Sequence, residues 1–173
     1  FQRVATLNAT TQDLIDAITS MLDDLLENKP SNSGPLMHIS MGVQGVTDAA
    51  SLTMLWSPIT PDSNISFGEV MSARYGVAVA VANDCNMIAE ALRWTDPENY
   101  AEDFAAILLS HGIGMGLYLK GKPFVGAYSS ASEFGHMLHV PNGALCRCGR
   151  HGCIESYASG YAILRNIESE DEN

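Results

Sequence analysis

The chain is short of positive charge: nine lysines and arginines stand against 20 aspartates and glutamates, for a formal net charge of −11. So acidic a surface repels phosphate backbones, and this chain by itself is not expected to bind DNA. No apolar run approaches the ~18 residues that a membrane-spanning helix needs, so no membrane partner is expected. The phenylalanine start shows no signal-peptide pattern, and a cytoplasmic location is expected. Cysteine is scarce and unevenly placed. Three of the four fall within eight residues, at 146, 148 and 153, and only Cys85 stands apart. That distribution points to metal in a reducing compartment rather than to a disulfide framework. Cys85 alone reads as a small buried residue, not a nucleophile. The rest is ordinary for a globular protein, with 46% apolar residues and a mean hydropathy of +0.04. At 173 residues it is long enough to bury a core, as one domain or as parts of two.

What is present is concentrated in Glu133-Phe134-Gly135-His136 and in the run from Cys146 to Glu155. The cysteines are spaced C-x-C-x4-C, with glycines at 149 and 152 that let the backbone aim neighbouring sulfurs at one point. Thiolates hold zinc tetrahedrally at about 2.3 Å, and a structural site closes its shell with a fourth ligand, often histidine. His136, His139 and His151 are all near enough in sequence; His151 ranks last because its backbone is committed to the cysteine turn. The alternative is a disulfide plus a free thiol. Cysteines one residue apart bridge only with strain, and three leave one over. A structural Cys3His zinc site is therefore expected, with no open position for a water.

Along the chain, residues 1–7 read as a short half-buried strand. Thr10 or Thr11 caps a helix whose apolar stripe is Leu14, Ile15, Ile18, Met21, Leu22, Leu25 and Leu26. Residues 36–43 read as a buried strand ending in Gly42-Val43-Gln44-Gly45. Residues 48–64 read as irregular, with Trp56 assigned to core packing. A helix over 66–75 stops at Gly76, in the position of a left-handed cap. Val77–Ala82 is a strand of small apolar residues that Asn83-Asp84 closes, and 86–94 is the next helix. Polar groups at the carboxyl end of a buried strand are where open α/β sheets bind ligands; from spacing alone, Asp84 caps a helix equally well. Residues 95–103 are polar and mark the expected domain boundary. Ala105–Leu109 leads into Gly112-x-Gly114-x-Gly116, but the continuation LYLKGKPF alternates and turns at Lys120-Gly121-Lys122. That is a hairpin, not the helix of a dinucleotide fingerprint. Residues 156–166 read as helix interrupted at Gly160, and the acidic tail ESEDEN as solvated or disordered.

Glu133-x-x-His136, nine residues, then C-x-C-G-x-x-G-C-x-E resembles the signature of the ROK family (repressors, open reading frames and sugar kinases), over nearly the whole chain. The resemblance implies an α/β, actin-like ATPase (ribonuclease H-like) fold with two lobes and an interdomain cleft, of which this chain is the middle, truncated at both ends. The lobes are expected at 1–98, lacking the opening phosphate-loop hairpin, and at 99–173, carrying the zinc loop. It also selects His136, with Cys146, Cys148 and Cys153, as zinc ligands, and implies that Asn83, Asp84, Glu133, His136 and Glu155 face a hexose or amino sugar. The family's usual proline is replaced by Gln44. A homodimer or higher homo-oligomer is implied as well.

Family members are kinases or regulators, and the sequence separates the two. A kinase uses Asp84 as general base, with ATP and Mg2+ held by two phosphate loops. The first, Asp-x-Gly-x-Thr, should precede Phe1. The second normally reads Gly-Thr-Gly-Ile-Gly, where this chain has Ser110-His111-Gly112-Ile113-Gly114. The change removes a close backbone approach and a hydroxyl donor. Ser129-Ser130-Ala131-Ser132-Glu133 also resembles the repressor branch. The expected function is thus the sugar-sensing domain of a transcriptional regulator that meets DNA only through a helix-turn-helix domain absent from this chain. The alternative is an ATP-dependent sugar kinase. A zinc-ribbon module with no small ligand leaves Asn83-Asp84 and Glu133 unexplained.

Overall fold

The computed structural model describes residues 9–127 and 130–170, so the strand expected over 1–7 lies outside the described residues. Two compact units divide the chain, Phe1–Asp84 and Cys85–Asn173. The division falls at the start of a helix, ahead of the polar stretch at 95–103.

In the first unit, helix α1 (Thr11–Glu27) opens on a capping box. The Thr10 side chain accepts from the Asp13 N–H, and the Asp13 carboxylate takes the Thr10 N–H at 2.9 Å. Leu14 is buried, and Ile15, Ile18 and Leu22 pack against the same core. Leu25 is 67% exposed, so the expected apolar stripe gives out in the last turn. Strand β1 (His38–Val43) buries only Ile39 fully, a correction to the buried strand expected from Leu36. The stretch expected to be irregular, 48–64, holds a strand, β3 (Met54–Trp56), which pairs antiparallel with β2 (Val46–Thr47) just ahead of it. Trp56 is 53% exposed and does not pack in the core; Met54 and Ile65, joined across an isolated bridge, take that place. Helix α2 (Phe67–Tyr75) ends at Gly76 with φ +69°, the left-handed cap expected.

Strand β4 (Ala78–Asn83) runs parallel to β1, with Val43 opposite Asn83. The carboxyl ends of both strands, and the Gln44-Gly45 turn that follows β1, therefore share one corner. Gly45 has φ +148°, and a Cβ there would overlap the Trp56 carbonyl oxygen. Glycine is required at that position, and Ser57 Oγ, which donates to the Gln44 carbonyl at 2.6 Å, helps hold the turn without the proline.

In the second unit, helix α3 (Asp84–Thr95) starts two residues earlier than expected, on Asp84 itself. Strands β5 (Phe104–Leu109), β6 (Ile113–Leu119) and β7 (Lys122–Pro123) form one antiparallel sheet in that order. Lys120 and Gly121 both have positive φ, the two-residue turn whose twist suits a tight hairpin. Helix α3 lies close on β6 because Gly114 and Gly116 have no side chains; they face Cys85 and Ala89. Cys85 is buried, as expected of a small packing residue. Tyr118 stacks on Phe104 and its hydroxyl bonds to Glu90. Helices α4 (Glu155–Ala158) and α5 (Gly160–Glu170) are separated at Ser159, which is extended, rather than at Gly160. α5 runs on to Glu170, so the acidic tail starts as helix, not as coil. No helix among the described residues is long and apolar enough to cross a membrane.

Candidate functional site

The hairpin β5–β6 and the loop between β6 and α4 build the site in the second unit. After β7 the chain reaches Glu133, which precedes a 3-10 turn, Phe134–His136. Gly135 sits against the Ile113 carbonyl, where a Cβ would overlap it, so the turn can press onto the start of β6. Residues 137–154 then fold back on themselves through main-chain bonds: Ile154 N–H to Met137 O at 3.0 Å, His139 N–H to Gly152 O at 2.7 Å and Cys146 N–H to Arg150 O at 2.8 Å. Gly149 and Gly152, with φ +86° and +83°, make the reversals that return Cys153 to the two earlier cysteines.

His136, Cys146, Cys148 and Cys153 converge with all four donor atoms within 4.8 Å of one another. The Sγ atoms of Cys148 and Cys153 are 3.7 Å apart, and His136 Nδ1 is 3.7 Å from Cys146 Sγ. A tetrahedron with metal–sulfur bonds of about 2.3 Å has its sulfurs about 3.8 Å apart and its sulfur–nitrogen edge near 3.5 Å. The donor set fits a thiolate-binding metal in both chemistry and spacing. His139 and His151, the other two histidines considered, are engaged elsewhere: His139 stands edge-on to Tyr157, and His151 Nδ1 is 2.9 Å from the Gly143 carbonyl oxygen.

The thiols burden one another. Burial, then hydrogen bonds with Cys148 and Cys146, push Cys153 up to about 11. Burial likewise raises Cys146. Cys148 is also pushed up by burial, but hydrogen bonding with Arg150, Cys146 and Cys153 together outweighs that and holds it below the ordinary thiol value. A bound divalent cation would relieve the repulsion among the three.

The two expected acceptors flank the cluster. Glu133 Oε2 is 3.9 Å from His136 Nε2, the ring nitrogen turned away from the sulfurs. Glu155 is buried and starts α4; its Oε2 accepts the Ile113 N–H at 3.0 Å, and its Oε1 is 3.6 Å from Cys146 Sγ. Both ring nitrogens of His136 are thus assigned, one to the donor cluster and one to a carboxylate. Asn83 and Asp84 stand at the carboxyl end of β4, and Asn83 Nδ2 donates to the Gly45 carbonyl at 2.9 Å.

Three participants escaped the sequence. Tyr161, from α5, donates its hydroxyl to Cys146 Sγ at 3.7 Å; burial, then this contact, push it up to about 12. Arg150 reaches Cys148 and, through Nη2, the His136 carbonyl at 3.3 Å. Tyr157 receives the Ala144 N–H at 2.8 Å and braces the loop. The one available signal was charge: two of nine basic residues, Arg147 and Arg150, lie inside the cysteine run of a strongly acidic chain.

The family model described as ROK family matches residues 2–173. A glucokinase of Thermotoga maritima is 30% identical over 151 residues, 87% of this chain and 47% of that protein. A putative xylose repressor of Caldicellulosiruptor sp. is 25% identical over 163 residues, 94% of this chain and 41% of that protein. The chain thus spans about half the length of these curated relatives. The crystal structure of a ROK family transcriptional regulator, a homolog of the E. coli MLC protein, superposes with a TM-score of 0.86 at 22% identity. It covers 98% of this chain and 42% of that one.

Proposed function

The chain belongs to the ROK family, with its actin-like sugar-kinase fold, and from that premise we propose that it is the sugar-sensing domain of a transcriptional regulator. The observation that carries this is the β5–β6 turn. It reads Ser110-His111-Gly112, and two N–H groups that flank it are already bonded within the protein: Ser110 N–H to Gly112 O at 3.0 Å and Ile113 N–H to the Glu155 carboxylate at 3.0 Å. A phosphate needs such N–H groups free and no carboxylate beside them. Asn83, Asp84, Glu133, His136 and Glu155 would contact the sugar. Zinc on His136, Cys146, Cys148 and Cys153 would be structural. Bound to Nδ1, it fixes the tautomer and leaves the Nε2 N–H to donate to a sugar oxygen or to Glu133. The net charge of −11 agrees with DNA contact being left to a helix-turn-helix domain elsewhere, in a cytoplasmic homo-oligomer.

The 30% identity to a glucokinase favours a second reading, an ATP- and Mg2+-dependent hexose or N-acetylhexosamine kinase with Asp84 as base. Calorimetry on the full-length parent with glucose, xylose and N-acetylhexosamines, beside an ADP-release assay, separates the two. A sensor binds one of these without releasing ADP. Asp84→Ala and Glu155→Ala should each weaken binding by at least ~1 kcal/mol, as each removes a charged acceptor. ADP release abolished by Asp84→Asn makes the protein a kinase.

A further inference from the structure

We propose that Tyr161 and Arg150 are positioning residues of the metal site, Tyr161 donating a hydrogen bond to a metal-binding sulfur and Arg150 to the carbonyl of the metal-binding histidine, so that the two set how tightly zinc is held. The proposal rests on the zinc assignment above and goes beyond the four ligands.

Charge makes such donors necessary. Three thiolates and a neutral imidazole around a divalent cation leave a net −1, inside a chain that already carries −11. One further carboxylate aggravates this, because Glu155 Oε1 lies 3.6 Å from Cys146 Sγ. While that sulfur carries its proton the contact is a hydrogen bond; once metal replaces the proton it becomes a contact of like charges. Tyr161 opposes it at the same atom. Its hydroxyl donates to Cys146 Sγ at 3.7 Å, and the Arg147 guanidinium lies 4.1 Å from its ring centroid. Held at the ring by that cation, the tyrosine is pre-oriented toward the sulfur.

Arg150 serves the other side. Cys146 and Cys153 are buried but Cys148 is exposed, so Cys148 is the sulfur that water, oxidants or a chelator reach first. Two residues after it, Arg150 Nη2 donates to the His136 carbonyl at 3.3 Å while the Arg150 carbonyl receives the Cys146 N–H at 2.8 Å, tying the cysteine turn to the fourth ligand. A guanidinium offers several donors in fixed directions; a lysine offers the charge without the fork.

The test uses the full chain and three variants, Tyr161→Phe, Arg150→Gln and Arg150→Lys, with zinc affinity read by chelator competition. Loss of an outer partner costs roughly 10- to 100-fold in metal affinity, which is the fall expected for Tyr161→Phe and Arg150→Gln. Arg150→Lys should recover part of it. Cobalt substitution supplies a readout that a merely structural role leaves unmoved. A sulfur deprived of a donor is richer in electrons, so the sulfur-to-cobalt charge-transfer band should shift to lower energy in Tyr161→Phe. Arg150 is exposed, so Arg150→Gln remains informative should Tyr161→Phe fail to fold. Folded variants with the parent's zinc affinity and an unmoved band overturn the proposal alone. A parent chain that takes up no zinc overturns it together with the zinc assignment.

Discussion

At the scale of single residues, the four donors near the zinc loop are interdependent, and Cys148 is the most easily tested of them. Its side chain is exposed, so Cys148→Ser removes a ligand without opening a cavity. Elemental analysis should find about one zinc in the parent chain and none in this variant, with a large drop in stability, because metal affinity here is folding free energy. Full metal retention would mean that the cluster is not the site. Asp48 offers an independent check in the first unit. Its Oδ1 accepts the Leu52 and Thr53 N–H groups at 2.8 Å each. Burial raises its pKa, but bonds from Thr53, Leu52 and Ala50 outweigh that and the carboxyl lies below its usual value. The folded value is therefore lower than the unfolded one. The stability it contributes is complete above the unfolded value of about 3.9 and is lost as pH falls through the folded one. Asp48→Ala should cost about 1 kcal/mol in urea unfolding at pH 7, discounted for its partial exposure, and progressively less as pH falls through the folded value. The convergence of His136 with the three cysteines was legible because cysteines and glycines at fixed spacing have few other uses. Tyr161 and Arg150 were not, since an aromatic on a helix and an arginine in a loop reveal their partners only in three dimensions.

Among the elements, those with local causes were read best. The β6–β7 hairpin followed from Lys120-Gly121 between alternating residues, and the end of α2 from Gly76; both need only a few neighbours along the chain. Trp56 and Leu25 were misplaced for the opposite reason. Spacing marks a residue as suited to burial, but whether anything covers it depends on distant elements, and Met54 and Ile65 occupy the core in place of Trp56. The approach of α3 to β6 was not foreseen either, though its glycines were noted as a possible phosphate loop. Gly116 is where the two elements touch: a Cβ there would lie 2.7 Å from that of Ala89 and overlap the Cys85 carbonyl. Gly116→Ala should push the helix off the sheet and destabilise the unit by about 1–3 kcal/mol. Thermal unfolding of the zinc-loaded variant measures this. An unchanged midpoint would show that α3 accommodates the methyl without loss.

At the level of the whole chain, the two units draw on different sources of stability. The first buries an aliphatic and aromatic cluster from Leu14 to Val81. The second counts two of the four clustered donors, Cys146 and Cys153, among its buried residues, together with Ile113, Tyr118 and the small Cys85, Ala89 and Ala162. Without metal, buried thiols that repel one another's charge fill the interior of the loop from 137 to 154, which keeps its main-chain bonds and a few side-chain braces such as the Ala144 N–H to the Tyr157 hydroxyl. Chelation should therefore act unevenly. In hydrogen exchange on the metal-stripped chain, amides such as those of Cys146, Gly152 and Ile154 should lose protection by orders of magnitude. The β1–β4 pairs, such as Met41 with Val81, should keep theirs. Re-addition of zinc should restore the first set without moving the second. Equal loss in both units would mean that the metal holds the chain together as a whole, and no loss in either would mean that the zinc loop folds without it.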